Sequence, residues 1–522
     1  MRYQRFAALA VIGLLAASAA GAGVRVGTPE ILDLLALYPF FPKDLVRVGD
    51  LGYLVADGRF GGKVVWRTDG TAAGTFAVSS LAASWDVLDT PTGPLAFYVG
   101  SGLGGPGNTL VRNDGSSQGT VVLASGLSIE PWHAYVPQTG QLFFSANGQL
   151  WATDGTPGGT HEVADVTAGY MVAVGGRVLF MGLPGVWASD GTAEGTVRLP
   201  GLDETLTLIK VGDIAFILNQ TPDGQEIWKS DGTASGTSLV AKLPPGANVE
   251  QVTAAGKRLF LLASGPSFPI KNLWASDGTA AGTVMLLQNV PPALMYEWTA
   301  AWGGLVFPYE TGSGLEPWWS DGTVAGTHQI ADICPGPCGS NPRYPVAAGG
   351  ALFFSALGGL WVTEGTPETT FRAVESLAIE GPGIALPGRL LLPGEKLWSI
   401  PFEVAAEPPA GDWIASPKVP GFRVKARITS GSEVRPVRQE PCIGETICLS
   451  GAVPGRPELF VRVIGPRPNG YFWPNLVRFT PSQAEVWIEQ TATGVVRYYL
   501  LEAVPRNSDE LSGLVDRTGF RP

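Results

Sequence analysis

Charge is scarce in this sequence of 522 residues: Asp, Glu, Lys and Arg make up 16% of it, against roughly 25% in typical soluble proteins. The charge present leans acidic, to a formal −11, and no basic run occurs. Electrostatic binding of nucleic acid needs a basic face, so that class is excluded. The three histidines, His133, His161 and His328, have no nucleophile and orienting acid arranged around them, and neither a His-Glu-x-x-His run nor a P-loop occurs. Beyond the N-terminus, no apolar stretch is long enough to cross roughly 30 Å of hydrocarbon. Long helices are excluded too, because 70 Gly and 43 Pro cut the chain into short runs. Val, Ile, Thr, Trp and Phe alternate between those breaks, which predicts a nearly all-β protein.

The N-terminus carries Arg2 and Arg5, an apolar stretch from Phe6 to about Ala17, then Ala20-Gly21-Ala22. This layout predicts a secretory signal peptide, residues 1–22. The four cysteines form two local pairs, Cys334 with Cys338 and Cys442 with Cys448. In an exported chain this predicts two disulfides, and the scarcity of nearby His disfavours zinc.

Self-similarity is the strongest signal. Asp-Gly recurs at Asp69, Asp114, Asp154, Asp190, Asp231, Asp277 and Asp321, with Glu364 in an eighth copy, at gaps of 36 to 46 residues. Three residues before the acid stands Trp66, Trp151, Trp187, Trp228, Trp274, Trp318 or Trp361, with Val111 in the second copy. Five residues after it comes Gly followed by Thr, except at Thr369-Thr370 in the eighth copy. Within residues 170–199, two short runs flank Gly175-Gly176 and two flank the Asp190-Gly191 loop, a four-stranded antiparallel unit. Such sheets bury both faces only by stacking around an axis. The repeated Trp, and Phe97, Phe144, Phe180, Phe216, Phe260, Phe307 and Phe354 in second strands, are expected to fill the space between blades.

Trp-x-[Ser/Thr]-Asp-Gly-Thr-x-x-Gly-Thr, seen most fully around Gln225–Thr233, resembles the ELWxxDGT repeat family of secreted bacterial proteins. The resemblance covers most of residues 24–402 and implies a β-propeller without implying an activity. The last copy, ending near Ile400, lacks a strand, and Val24–Ile31 resembles the missing one. Pairing them would close a ring of about nine blades, or eight if one unit is not a true blade. The expected organisation is a propeller over 23–402, a linker over 403–411 and a small β-sandwich over 412–522. The sandwich segment resembles a C-terminal β domain of other secreted bacterial repeat proteins.

Eight similar acids suggest a shared catalytic or calcium ring, but on a nine-blade ring neighbours would lie on the order of 15 Å apart, too far to act on one bond. Each Asp is therefore expected to accept hydrogen bonds within its own loop, with one calcium ion per blade as the alternative and no other cofactor. Glu226 and Glu316, two residues before their Trp, are consensus positions first and candidate acids second. Asymmetric loops fall at Thr90–Asn108, Gly265–Asn272 and Pro308–Gly314, where Tyr309 and Glu310 are the candidate ligand contacts. The expectation is an exported, monomeric, non-catalytic binding module for an extracellular protein or glycan. A structural or adhesive surface protein and a carbohydrate-active propeller enzyme are the alternatives.

Overall fold

The computed structural model describes residues 24–32, 43–57, 63–79, 82–88, 96–101, 108–264, 271–290, 298–312, 314–394, 396–404, 412–416, 421–430, 433–442, 446–451, 455–464, 472–480, 482–492, 495–501 and 513–515. The expected signal peptide lies outside them. The chain divides into two compact units, Pro29–Phe402 and Met1–Thr28 with Glu403–Pro522.

The larger unit is a β-propeller of nine sheets. Blades one to eight span Lys43–Ser79, Ala82–Leu127, Ile129–Thr167, Met171–Arg198, Thr205–Lys242, Asn248–Val290, Thr299–Gln329 and Arg343–Val374. Each is a meander of four antiparallel strands in chain order, and the described hairpins close in tight turns such as Gly175-Gly176 and Gly212-Asp213. The first strand of each blade touches the first strand of the next, and Ile384–Leu386 of blade nine touches Lys43–Val48 of blade one. First strands are thus innermost, and the ring is closed. Blade nine takes Ile384–Leu386, Arg389–Pro393 and Leu397–Val404 from its own segment, and Glu30–Leu32 pairs with Leu397–Ser399 as its fourth strand. The expected closing segment was Val24–Ile31; Glu30–Leu32 supplies the pairing with Leu397–Ser399, and Val24–Val26 is a further short strand hydrogen-bonded to Leu397–Val404 in the same sheet.

Arg389 fastens this closure. Its Nη1 donates to Glu30 Oε2 at 2.8 Å, to Ser399 Oγ at 2.9 Å and to the Gly70 carbonyl of blade one at 3.1 Å. One guanidinium thereby joins the borrowed strand, its host blade and the next blade.

Strand alternation sends neighbouring side chains of one blade into different interfaces. Val178 and Phe180 of blade four pack with Val136 and Phe143 of blade three, whereas Leu179 packs with Leu208 and Ile217 of blade five. Phe144, Phe216, Phe260, Phe307 and Phe354 are buried in the same way, each worth roughly 1.5–3 kcal/mol of transfer free energy. The repeat Trp side chains seal each blade against its predecessor: Trp187 on the three–four core, Trp228 on four–five, Trp274 on five–six, Trp318 on six–seven. Phe97 lies outside the described side chains.

The smaller unit contains a β-sandwich of two five-stranded sheets. Val424, Ala426, Ile428, Val486 and Ile488 of one sheet pack on Leu449, Leu459, Val461 and Leu476 of the other. The outer face of the first sheet carries bidentate Arg423–Glu489 and Arg427–Glu485 pairs flanking a buried Trp487.

Candidate functional site

Antiparallel strand order divides the propeller into two faces. Turns after first and third strands, including every Asp-Gly-Thr loop, open on one face. Turns after second strands and the starts of innermost strands lie on the other.

Each residue of the Asp-Gly-Thr loop has a structural task. In blade five, Asp231 Oδ1 accepts the Thr233 N–H at 2.9 Å and the Thr233 hydroxyl at 2.7 Å. Thr233 Oγ1 in turn accepts the Gly236 N–H at 3.0 Å, and the Thr237 hydroxyl donates to the Thr233 carbonyl at 2.6 Å. Ser230 Oγ accepts the Gly232 N–H at 3.1 Å. The same acid-to-Thr bonds recur at Asp69, Asp154, Asp190, Asp277 and Asp321, and Asp114 makes the backbone bond to Ser116. Bonding by the Thr233 hydroxyl, then by its N–H, holds the Asp231 carboxyl below the ordinary aspartate value, and Asp154 behaves likewise through Thr156.

The two glycines serve different ends. The first, at Gly232, has φ +93° and packs on Arg177 and Leu179 of the preceding blade; Gly322 packs on Arg258 and Gly70 on Arg389 in the same manner. Arg258 also donates to the Gly322 carbonyl at 3.1 Å, so the loop latches adjacent blades. At the second glycine the constraint is steric, since a Cβ on Gly236 would lie 2.0 Å from Asp231 Oδ1. The eighth loop shows the complementary solution. With Glu364 replacing Asp, Thr369 replaces that glycine, and its hydroxyl accepts the Thr366 N–H at 3.2 Å that the acid accepts elsewhere.

These acids are therefore built into separate loops. Among the described residues, no three His, Cys, Asp or Glu side chains form a metal-ligand set. A calcium ion at an Asp-Gly-Thr loop would compete for the Oδ1 that already binds Thr.

The other sequence candidates also separate. Tyr309 and Glu310 are neighbours on one strand and so face opposite ways: Tyr309 meets Trp318 edge-on at 4.9 Å in the six–seven core, while Glu310 is exposed. Glu310 shares its strand face with Val306 and Pro308, which line a shallow cleft against Pro342, Arg343 and Pro345 at the start of blade eight. Glu226 is tied to Trp228 Nε1 at 2.9 Å and Lys242 at 3.0 Å. Glu316 is fully buried and accepts the N–H groups of Ile333, Cys334 and Ser340 and the Ser340 hydroxyl, at 2.7–3.2 Å. It holds the loop closed by the Cys334–Cys338 disulfide; the Cys442–Cys448 bridge is present as well. His328 packs edge-on against Trp319 at 5.5 Å, and His161 lies beside the Gly159 carbonyl. Gly115–Gly119 has Gly-x-Ser-x-Gly spacing but forms the second Asp-Gly-Thr-type loop between two strands, not the strand-to-helix turn a nucleophile elbow requires. Residues 90–95, 102–107 and 265–270 of the expected asymmetric loops lie outside the described residues.

Sequence reasoning overlooked the starts of the innermost strands. Register breaks occur there at Lys43/Val46, Ile129/His133, Thr205/Thr207, Val249/Gln251 and Arg343/Val346. Bulges re-aim side chains and are enriched beside binding sites. Here they coincide with exposed Trp132 and Leu206, and with Tyr344 at φ +53°. Tyr170, directly before the innermost strand of blade four, is exposed and meets Trp132 edge-to-face at 5.8 Å. The signal available in the sequence was that these positions differ from blade to blade while the loops repeat.

No family model matches the chain, and no curated protein matches it significantly. Solved structures of similar fold include the tricorn protease (10% identity, 85% of this chain and 49% of that one, TM-score 0.25). Others are a prolyl endopeptidase (9%, 87% and 55%, 0.36) and an oligogalacturonate lyase from Vibrio parahaemolyticus (8%, 69% and 98%, 0.36). The chain spans about half the length of the two peptidase chains. The expectation that this protein is not an enzyme is corrected by these matches, which are to enzymes. A missing sequence motif was insufficient ground for it, because catalytic groups are recognised by their geometry in space and not by their position in the sequence. At these identities the likeness concerns the fold, and no reaction is carried over.

Proposed function

We propose that this chain is an exported propeller of the ELWxxDGT type that binds its ligand on the face opposite the Asp-Gly-Thr loops. The two disulfides and the N-terminal Arg, apolar and small-residue pattern support export. The contrast between the two faces carries the reading. One face repeats a single self-satisfied loop, as a fold requires; the other sets unlike, exposed side chains on bulged innermost strands, as a recognition site requires.

The test is hydrogen exchange on the mature chain with and without a hit from a screen of glycans and peptides. Slowed exchange over 129–136, 170–174 and 205–211 is expected. Slowing confined to the Asp-Gly-Thr loops would overturn the assignment of the face.

A further inference from the structure

The hairpin that ends each innermost strand sets a common register. It closes at Val136–Gln141, Val174–Arg177, Val211–Ile214 and Ala255–Arg258 in blades three to six. Four residues back from each strand end stand Trp132, Tyr170, Thr207 and Gln251. Four consecutive blades thus carry, at one level, two aromatic rings, a hydroxyl and an amide.

The rings are not spent on packing. Trp132 and Tyr170 are 41% and 40% exposed, although the ring's other large aromatics are buried or half-buried between blades wherever their side chains are described. At that exposure each keeps a broad surface in water even after its edge-to-face contact. Leu206, 47% exposed at the bulge of blade five, extends the apolar surface.

Three of the carboxylates beside this row are already engaged. Glu130 accepts the Ser145 hydroxyl and, at 3.1 Å, the Gly148 N–H. Glu250 pairs with buried Lys271 at 2.5 Å, and Asp203 pairs with Arg198. Exposed Glu204 adds an acceptor just ahead of blade five. Aromatic faces flanked by neutral donors and acceptors suit a ligand that is apolar on its faces and polar around its rim, without formal charge. A pyranose ring has that form: axial C–H groups make its faces apolar, and hydroxyls make its rim polar.

We infer that Trp132 and Tyr170 form a stacking site for a neutral sugar ring, with Thr207 and Gln251 placed to bind hydroxyls of the same glycan. The inference rests on the proposed binding face and specifies its ligand class.

The experiment titrates the full mature chain with three neutral hexasaccharides, of β-1,4-glucose, α-1,4-glucose and β-1,4-N-acetylglucosamine, and with choline and a charged hexauronate. Calorimetry and tryptophan fluorescence are the readouts. At least one neutral hexasaccharide should bind and perturb fluorescence. Trp132→Ala and Tyr170→Ala should each weaken binding about tenfold or more while leaving circular dichroism and the melting temperature unchanged. Trp132→Phe should recover part of the loss, which a merely structural role would not require. Absence of binding by all three neutral hexasaccharides overturns the inference, as does preference for choline or the hexauronate, or binding that both alanine variants retain. A peptide that instead slows exchange at 129–136 and 170–174 would overturn the sugar assignment and leave the binding face standing. A ligand mapped to the opposite face would overturn both.

Discussion

The second glycine of the repeat and the repeat acid are predicted to be a coupled pair. In Gly236→Thr, the new Cβ would start 2.0 Å from Asp231 Oδ1, against the roughly 3.4 Å or more of an ordinary contact, so the carboxylate must swing away. That breaks its bonds to the Thr233 N–H and hydroxyl, at 2.9 and 2.7 Å. Each is worth about 0.5–1.5 kcal/mol net, and Asp231 is exposed, so the low end applies: a loss of about 1–2 kcal/mol. Adding Asp231→Glu should reverse part of it, because the double variant copies the eighth loop, in which Thr369 Oγ1 accepts the Thr366 N–H. Urea denaturation followed by the fluorescence of nearby Trp228 would give the four corners of the cycle. A favourable coupling of about 1 kcal/mol is expected. Additivity within roughly 0.5 kcal/mol would refute the argument that the two positions exchange one acceptor role.

Three other outcomes follow from the geometry. Arg389→Ala removes the guanidinium joining Glu30, Ser399 and Gly70, and should speed exchange of the Glu30–Leu32 amides far more than those of blade five, measured by hydrogen exchange. Glu316→Gln places an amide donor against a backbone N–H of Ile333, Cys334 or Ser340 and should cost roughly 1–3 kcal/mol, with faster proteolysis of residues 333–340. The Asp231 carboxyl is held below 3.8 when folded, so the unfolded chain takes up its proton first as pH falls. Its contribution is complete above pH 3.8 and lost as pH drops through the lower folded value, so Asp231→Asn should lose less stability than wild type between pH 6 and pH 3, measured by urea denaturation.

Blade number, strand pattern and loop chemistry were legible in the sequence because each blade is a local meander. Asp231, Thr233 and Gly236 act within a few residues of one another, and eight copies reveal what one would hide. Even ring closure was readable, since Val24–Ile31 resembles the strand that blade nine lacks, and Glu30–Leu32 does pair with Leu397–Ser399. The tertiary structure alone decided what lies between copies. Gly322 needs a bare Cα because Arg258, 64 residues away, lies against it; Glu316 is a loop anchor because Ser340, 24 residues on, folds back over it. Tyr309 and Glu310 looked like a pair in sequence, but strand alternation turns them to opposite faces. Trp132 and Tyr170, 38 positions apart and unlike their counterparts in other blades, stand edge to face only because neighbouring blades bring their innermost strands together. A repeated local motif records the contacts that every blade makes with itself. The exposed aromatic row depends on which blades become neighbours, and that is settled only when the ring closes.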